Sequence, residues 1–463
     1  MQNYLRELPS VNEVLEREYL KEYLEIYKKD YIKNIIKEEI DKLRKYILNT
    51  NNLDKRKIEN LDNNIILRLS SFTDSLKTVV NGTGVIVHTN LGRSPMSKEI
   101  MEKIIDIGSS YSNLEYDLDT GVRGQRDKHL SYLINSLTGS EDSIIVNNNA
   151  AAVLLTISTF SKNKEIIISR GELVEIGGSF RIPDICNASG GILKEVGTTN
   201  RTHLYDYKDN INDNTGLIMK VHTSNYIIKG FTKEVSINEL IDLSKNNKIP
   251  FLYDIGSGIL EENNLFDDEP NIKQLVNSGV DIITFSGDKL IGGPQLGIIA
   301  GKKVYIDKLR NNPLYRAVRV DKLNIKLMEE TLKVYMKNKN IENHILVYKM
   351  LNKKYSETYE ECRCIVSKIK QNNLFDYNIV EGKSLIGGGA LPDKYIKTAC
   401  IVISSNSVNL NDINNKLKSL LKPIILTIKK GKLIINPRTL LNDDIDYIVN
   451  IFNDIIEEIE KDE

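Results

Sequence analysis

Lys289 stands between an apolar run, Ile282 to Phe285, and the turn-forming Gly292-Gly293-Pro294, within Asp281-Ile-Ile-Thr-Phe-Ser-Gly-Asp-Lys289-Leu-Ile-Gly-Gly-Pro-Gln-Leu-Gly297. The apolar run reads as a buried strand that ends at Ser286 and Gly287, and Leu296 to Ala300 reads as a neighbouring strand leaving the same place. A lysine partly desolvated at such a strand end can lose its proton near neutral pH and attack a carbonyl to form a Schiff base. The bland reading is a surface lysine in a loop. A second strand-like run, Phe251-Leu-Tyr-Asp254-Ile-Gly-Ser-Gly258, ends in a carboxylate and two glycines. A buried aspartate of this kind would keep the ring nitrogen of pyridoxal 5'-phosphate protonated, which that cofactor needs to act as an electron sink. Asp254 could instead cap a helix or bind a metal, but no His or Cys lies near it in sequence, and no metal site is expected.

Further groups fit the same chemistry. Ile144-Ile-Val-Asn147-Asn-Asn149-Ala150 reads as a strand followed by a helix start, where the amides of Asn149 and Ala150 could cradle a phosphate. Ser286 could donate to that phosphate or simply form a turn. His222, after the run Leu217 to Val221, could stack on the cofactor ring or be a core histidine. Arg93, Arg123, Arg126, Arg316 and Arg319 lie in or near Gly-rich or short helical segments, Arg316 and Arg319 three apart as on one side of a helical turn. Clustered guanidiniums suit a second phosphate-bearing ligand; surface or interface salt bridges are the alternative.

To position these groups, strand-like runs must alternate with helices from Val79 to about Ala300: Val85 to His88, Ser143 to Val146, Glu165 to Ser169, Leu217 to Val221, Phe251 to Asp254, Ile282 to Phe285 and Leu296 to Ala300. The pattern predicts an α/β domain with a largely parallel sheet and a ligand at the strand C-terminal ends. Upstream, Ser10 and Glu13 form a capping-box pattern. Apolar residues from Leu20 to Ile47 then recur at helical spacing beside Lys28, Lys29, Lys33, Lys37, Lys42, Arg44 and Lys45. This predicts a small helical domain with a basic side, broken at Asn49 to Asn52 and followed by a helix around Ile58 to Leu69. Beyond Pro313, a long helical stretch from Ile325 to about Lys370, short strands at Thr398 to Ile403, Ile424 to Ile428 and Lys432 to Ile435, and a helix from Asp443 predict a smaller α+β domain. The expected boundaries are 1–72, 73–322 and 323–463.

The chain resembles the bacterial selenocysteine synthases, or L-seryl-tRNA(Sec) selenium transferases, which are fold-type I pyridoxal phosphate enzymes. The resemblance runs through Leu8-Pro9-Ser10-Val11, Asn81 to Arg93, Tyr111-Ser-Asn-Leu-Glu-Tyr-Asp117, Gly121-Val-Arg123-Gly-Gln-Arg126, Glu195 to Thr202, His222-Thr-Ser-Asn-Tyr226, Ser286-Gly-Asp-Lys289 and Tyr315 to Lys322. It implies a large fold-type I α/β domain, a small C-terminal α+β domain and an N-terminal helical domain that reads tRNA. It also implies conversion of L-seryl-tRNA(Sec) to L-selenocysteinyl-tRNA(Sec) with selenophosphate, through a cofactor-bound dehydroalanyl-tRNA. Arg93, Arg316 and Arg319 match family arginines that hold selenophosphate, Arg126 falls in a motif near the site, and Asp288 matches a carboxylate implicated in catalysis. Gly387 to Gly389 and Arg438 match family positions of open role. A homodecamer, a pentamer of dimers sharing active sites, is the implied assembly. A lyase acting on a phosphorylated amino sugar or amino acid, and a tRNA-binding scaffold without chemistry, are the rival readings; the N-terminal helices speak against the first, and Lys289 with Asp254 against the second.

Composition is compatible with this. The 463 residues carry 63 basic and 63 acidic side chains, so any RNA contact must come from local basic faces. Four cysteines, of which Cys362 and Cys364 are too close for a zinc clip, suggest a reducing compartment. With no long apolar run and no leader pattern at Met1 to Arg6, a cytoplasmic protein without membrane association is expected.

Overall fold

The computed structural model describes residues 5, 7–50, 52, 58, 60–70, 75–176, 180–261, 269–337, 340–387 and 390–462. The chain forms two compact units, Met1–Thr78 and Val79–Glu463; the expected boundary at 72/73 lies outside the described residues.

In the first unit the Ser10 hydroxyl accepts from the Glu13 amide while the Glu13 carboxylate accepts from the Ser10 amide, the reciprocal cap expected. Helix Lys29–Thr50 buries Ile32, Ile35, Ile36 and Ile40 against Val14, Leu20 and, from helix Leu61–Ser70, Leu61, Ile65 and Leu69. Each such side chain is worth about 1.5–3 kcal/mol on burial. Arg68 ties the two longer helices together through Glu38 and Glu39. Lys28, Lys29, Lys37 and Lys45 remain exposed.

The second unit is built on a seven-stranded sheet: β1 (Asp142–Val146), β2 (Glu165–Ser169), β3 (Ile192–Val196), β4 (Thr215–Val221), β5 (Phe251–Gly256), β6 (Ile282–Ser286) and β7 (Gly297–Gly301). Their spatial order is β1-β7-β6-β5-β4-β2-β3. β7 runs antiparallel to β1 and β6, and the remaining pairs are parallel. β4 to β7 are buried along their whole length, which explains their near-continuous apolar sequences. Edge strand β3 buries only Val196 fully and carries Lys194 and Glu195, and it escaped the sequence reading.

A second sheet joins Asp376–Gly387 and Ala390–Ser404 to the shorter Lys432–Ile435 and Thr427–Lys429. Val85–Val87 pairs in parallel with Asp376–Gly387 in this sheet, not in the large one as the sequence pattern suggested. A three-residue strand carries no signal for a partner some three hundred positions away. The stretch expected as one helical region breaks into Lys322–Met336, Leu346–Asn352 and Tyr355–Lys368. The first of these buries Ile325, Met328 and Leu332 in the large sheet's core, whereas Cys362 and Ile365 of the third join the core of the second sheet. Gly388 and Gly389 lie outside the described residues.

Candidate active site

The C-terminal ends of the parallel strands converge on a cavity of about 290 Å³ lined by Lys289, Asp254, His222, Ser286, Asp288 and Arg93, together with Asn148 to Ala150. β6 delivers Ser286 and then a loop folded back on itself: Gly287 donates to the Leu296 carbonyl (2.9 Å), Gly293 to that of Gly287 (2.9 Å) and Gly292 to that of Lys289 (3.1 Å). Apart from Gln295, the loop is buried. Lys289 is only 8% exposed, so the surface-loop reading of this lysine fails. Burial, reinforced by the nearby Arg93 charge, pushes the Lys289 amine below its ordinary range, against the opposing pull of Asp254 and Asp288.

Asp254, in β5, is 4% exposed. Its Oδ1 accepts from Asn149 Nδ2 and from Thr284 Oγ1, each at 2.8 Å. Burial raises its pKa, while these two hydrogen bonds and the Lys289 charge act in the other direction. Thr284 was passed over in the sequence because a threonine inside a β-branched run looks like strand filler. Two residues beyond Asp254, Gly256 takes φ +72°, and a Cβ there would stand 3.7 Å from Lys289 Nζ; the chain turns tightly around the amine. His222 continues β4 and donates its amide to the Asp254 carbonyl at 2.9 Å.

Helix Asn149–Phe160 starts at the cavity, with Asn148 as its cap accepting from the Ala151 amide at 2.8 Å. Amides of a first helical turn have no intrahelical acceptor, so those of Asn149 and Ala150 suit an anion. Gly297 permits this placement: a Cβ on it would lie 2.3 Å from the Asn148 carbonyl oxygen and 2.9 Å from the Asn149 nitrogen. Ser286 lies across the same strand pair from Gly297. The buried Ser224 hydroxyl and the Asn149 side-chain oxygen Oδ1 have no partner among the described residues, as expected of a cavity shaped for a polar guest.

Behind the site, Glu172 Oε1 accepts from Lys220 Nζ (2.8 Å) and its Oε2 from the Val221 amide (3.0 Å), all three buried. Burial works against the Lys220 charge, but Glu172 and Glu234 outweigh it and hold that pKa above the ordinary lysine value. The carboxylate thus finishes the β4 ladder where β2 ends, one residue before His222.

The arginines divide. Arg93, in the left-handed region at φ +62°, reaches Asp288 at 2.7 Å beside Lys289. Arg126, Arg316 and Arg319 line a separate pocket of about 210 Å³ centred on Glu115. The helical turn expected to carry both Arg316 and Arg319 ends at Ala317, leaving Arg319 in the non-helical segment that follows. Arg438, fully buried, donates to the carbonyls of Met350, Lys353 and Lys397. No group of His, Cys, Asp and Glu among the described residues is arranged to hold a metal.

An amine on a strand-end loop, a buried carboxylate in the adjacent strand β5, and an anion-seeking helix start together fit pyridoxal 5'-phosphate. Fold and site define a fold-type I pyridoxal phosphate enzyme. The overall architecture is similar to that of D-glucosaminate-6-phosphate ammonia-lyase, with TM-score 0.59 and 21% identity over 85% of this chain and 98% of that one. The L-seryl-tRNA selenium transferase profile matches residues 79–441, and the selenocysteine synthase N-terminal profile matches residues 5–44. An L-seryl-tRNA(Sec) selenium transferase of Clostridium botulinum (strain Loch Maree / Type A3) is 44% identical over 98% of both chains. That of Alkaliphilus oremlandii is 43% identical over 97% of this chain and 98% of its own. This chain belongs to the L-seryl-tRNA(Sec) selenium transferase family.

Proposed function

We propose that the protein converts L-seryl-tRNA(Sec) to L-selenocysteinyl-tRNA(Sec), with selenophosphate as selenium donor, at the Lys289 cavity. The observation that carries this reading is the buried Lys289 amine facing the strand that bears Asp254, in a chain that matches its selenium transferase relatives over nearly their whole length. Pyridoxal phosphate, when bound, supplies an electron sink for the charge left at the serine Cα. Lys289 would hold the cofactor through its aldehyde, and its Nζ, once free, would take the Cα proton; a depressed pKa keeps that nitrogen available as a base. Asp254, its carboxylate fixed by Asn149 and Thr284, would keep a proton on the ring nitrogen. The amides of Asn149 and Ala150 and the Ser286 hydroxyl would hold the cofactor phosphate, and His222, in the same cavity lining, would hold the ring. Asp288 orients Arg93 at the cavity mouth and, beside Lys289, serves proton transfer as the serine hydroxyl leaves. Arg93, Arg126, Arg316 and Arg319 bind selenophosphate. Because the last three stand in a separate pocket of the protomer, this reading places them in the active site of a neighbouring subunit, consistent with a homodecamer built from dimers.

In this scheme residues 1–72 read the tRNA, 73–322 bind the cofactor and 323–463 form the small domain. The exposed lysines of helix Lys29–Thr50 offer phosphate contacts that position an RNA without reading bases. Among the described residues no helix is long and apolar enough to cross a membrane, and we place the enzyme in the cytoplasm. The test is incubation of the purified, cofactor-loaded protein with selenophosphate and either Ser-tRNA(Sec) or Ser-tRNA(Ser). Selenocysteinyl product is expected with the first alone. Equal turnover of both, or of neither, would overturn the assignment.

A further inference from the structure

The motif Tyr111 to Asp117 has no part in the scheme above, yet its Glu115 stands at the centre of the arginine pocket. Oε1 of Glu115 accepts from Nε of Arg126 (3.0 Å), from a second Arg126 nitrogen, and from Arg319 (3.2 Å); Oε2 accepts from Arg123 (2.8 Å). Its position is fixed locally: the Glu115 carbonyl accepts the Gly124 amide (3.1 Å) and Tyr116 bridges Arg123, so one short hairpin carries both the carboxylate and one of its guanidinium partners. Arg126 is held further by the Val320 carbonyl. Of the two other arginines of the pocket, Arg310 is already matched by Asp127, Asp142 and Asp307. Arg316 has no carboxylate partner among the described residues. Four guanidiniums therefore face one carboxylate, and the pocket keeps a strong surplus of positive charge.

We propose that Glu115 is the specificity-setting residue of this pocket: an internal carboxylate that competes with the incoming oxyanion for Arg126 and Arg319 and so limits how tightly any phosphate is held. This rests on the reading that the arginines bind the selenium donor. Guanidinium forks bind carboxylate and phosphate by the same paired N–H geometry, so the two acceptors exchange on the same donors. A site with four uncompensated arginines would retain inorganic phosphate, the product left when selenium is transferred, and would fill with any cellular oxyanion. The carboxylate keeps the guanidiniums in place when no anion is bound and helps expel the phosphate afterwards.

The experiment is calorimetric titration of inorganic phosphate into the cofactor-loaded protein, with phosphate inhibition of selenium transfer measured in parallel. Glu115→Gln, which keeps the shape and removes the charge, is expected to bind phosphate about tenfold more tightly than wild type. Glu115→Asp, which withdraws the charge by one methylene, should lie between them and covers the case in which the Gln variant does not fold. The gain should vanish when Arg316→Ala is added. Unchanged or weaker phosphate binding in the Glu115 variants would overturn the proposal. If Arg316→Ala alone leaves phosphate binding unchanged, the donor-site reading fails instead, and that result is separate from anything seen at Glu115.

Discussion

Replacing Asp254 with Asn tests the centre of the site, because the substitution changes charge while leaving shape and packing nearly intact. Asn149 Nδ2 and Thr284 Oγ1 both donate to Oδ1 of Asp254, and an amide oxygen at that position can accept both. The other terminal atom becomes an NH2 group, which donates to an unprotonated ring nitrogen rather than accepting from a protonated one. A hydrogen bond between charged groups is worth about 1.5–3 kcal/mol, so the variant should hold pyridoxal phosphate roughly ten- to a hundredfold less tightly. Loaded at saturating cofactor, it should release the serine Cα proton far more slowly, since the ring no longer absorbs charge. The apo-protein should respond in the opposite sense. Burial holds the Asp254 pKa above its unfolded value, so the carboxyl's contribution to stability is present below about pH 3.8 and is lost as pH rises through the folded-state pKa. At neutral pH the apo Asn variant should therefore melt higher than the apo wild type, with the difference closing toward pH 4. Cofactor affinity by equilibrium dialysis and apo melting across pH give the two readouts. Unchanged cofactor affinity together with an unchanged or lower apo melting temperature would refute the reasoning.

Borohydride reduction of the loaded protein followed by peptide mapping should place the pyridoxyl label on Lys289, and Lys289→Ala should abolish it; a label elsewhere removes Lys289 from its role. The depressed Lys289 pKa means the unfolded chain binds more protons than the fold between that pKa and about 10.5, so wild-type apo-protein stability should rise with pH there, and Lys289→Met should remove this contribution to the slope in denaturant titrations. Gly297→Ala forces a methyl against the Asn148 carbonyl and should cost about 1–3 kcal/mol of stability together with cofactor affinity; an unaffected melting curve would show that the helix start is not held there by close approach. Glu172→Gln leaves Lys220 buried beside only the exposed Glu234, an expected loss of about 3–5 kcal/mol by denaturant unfolding. Deleting the whole unit Met1–Thr78 should spare cofactor binding and remove preference for tRNA(Sec); retained preference in a gel-shift competition would locate recognition downstream.

The sequence by itself marked the candidate residues. Lys289 and Asp254 were legible because a buried strand reads as an apolar run, and a charged residue at the end of such a run interrupts a pattern that hydrophobic burial otherwise dictates. The capping box at Ser10 and Glu13 was legible for a related reason: both partners lie within one turn, so the reciprocal hydrogen bonds are written in four consecutive residues. Tertiary structure alone decided which strands share a sheet and which side chains share a cavity. Val85–Val87 joined the second sheet, and edge strand β3 appeared where its charged and partly exposed residues had hidden it. Thr284 became a partner of Asp254 because β6 lies beside β5 in a register that pairs those two positions. The arginines make the same point most sharply. Their residue type announced an anion site, but Arg93 went to Asp288 and Arg126 and Arg319 went to Glu115. Coulombic and hydrogen-bond pairing depends on distances of a few ångströms, and for Arg93–Asp288 and Arg319–Glu115, some two hundred positions apart, those distances are set by the packing of the sheet and its helices, not by any local pattern.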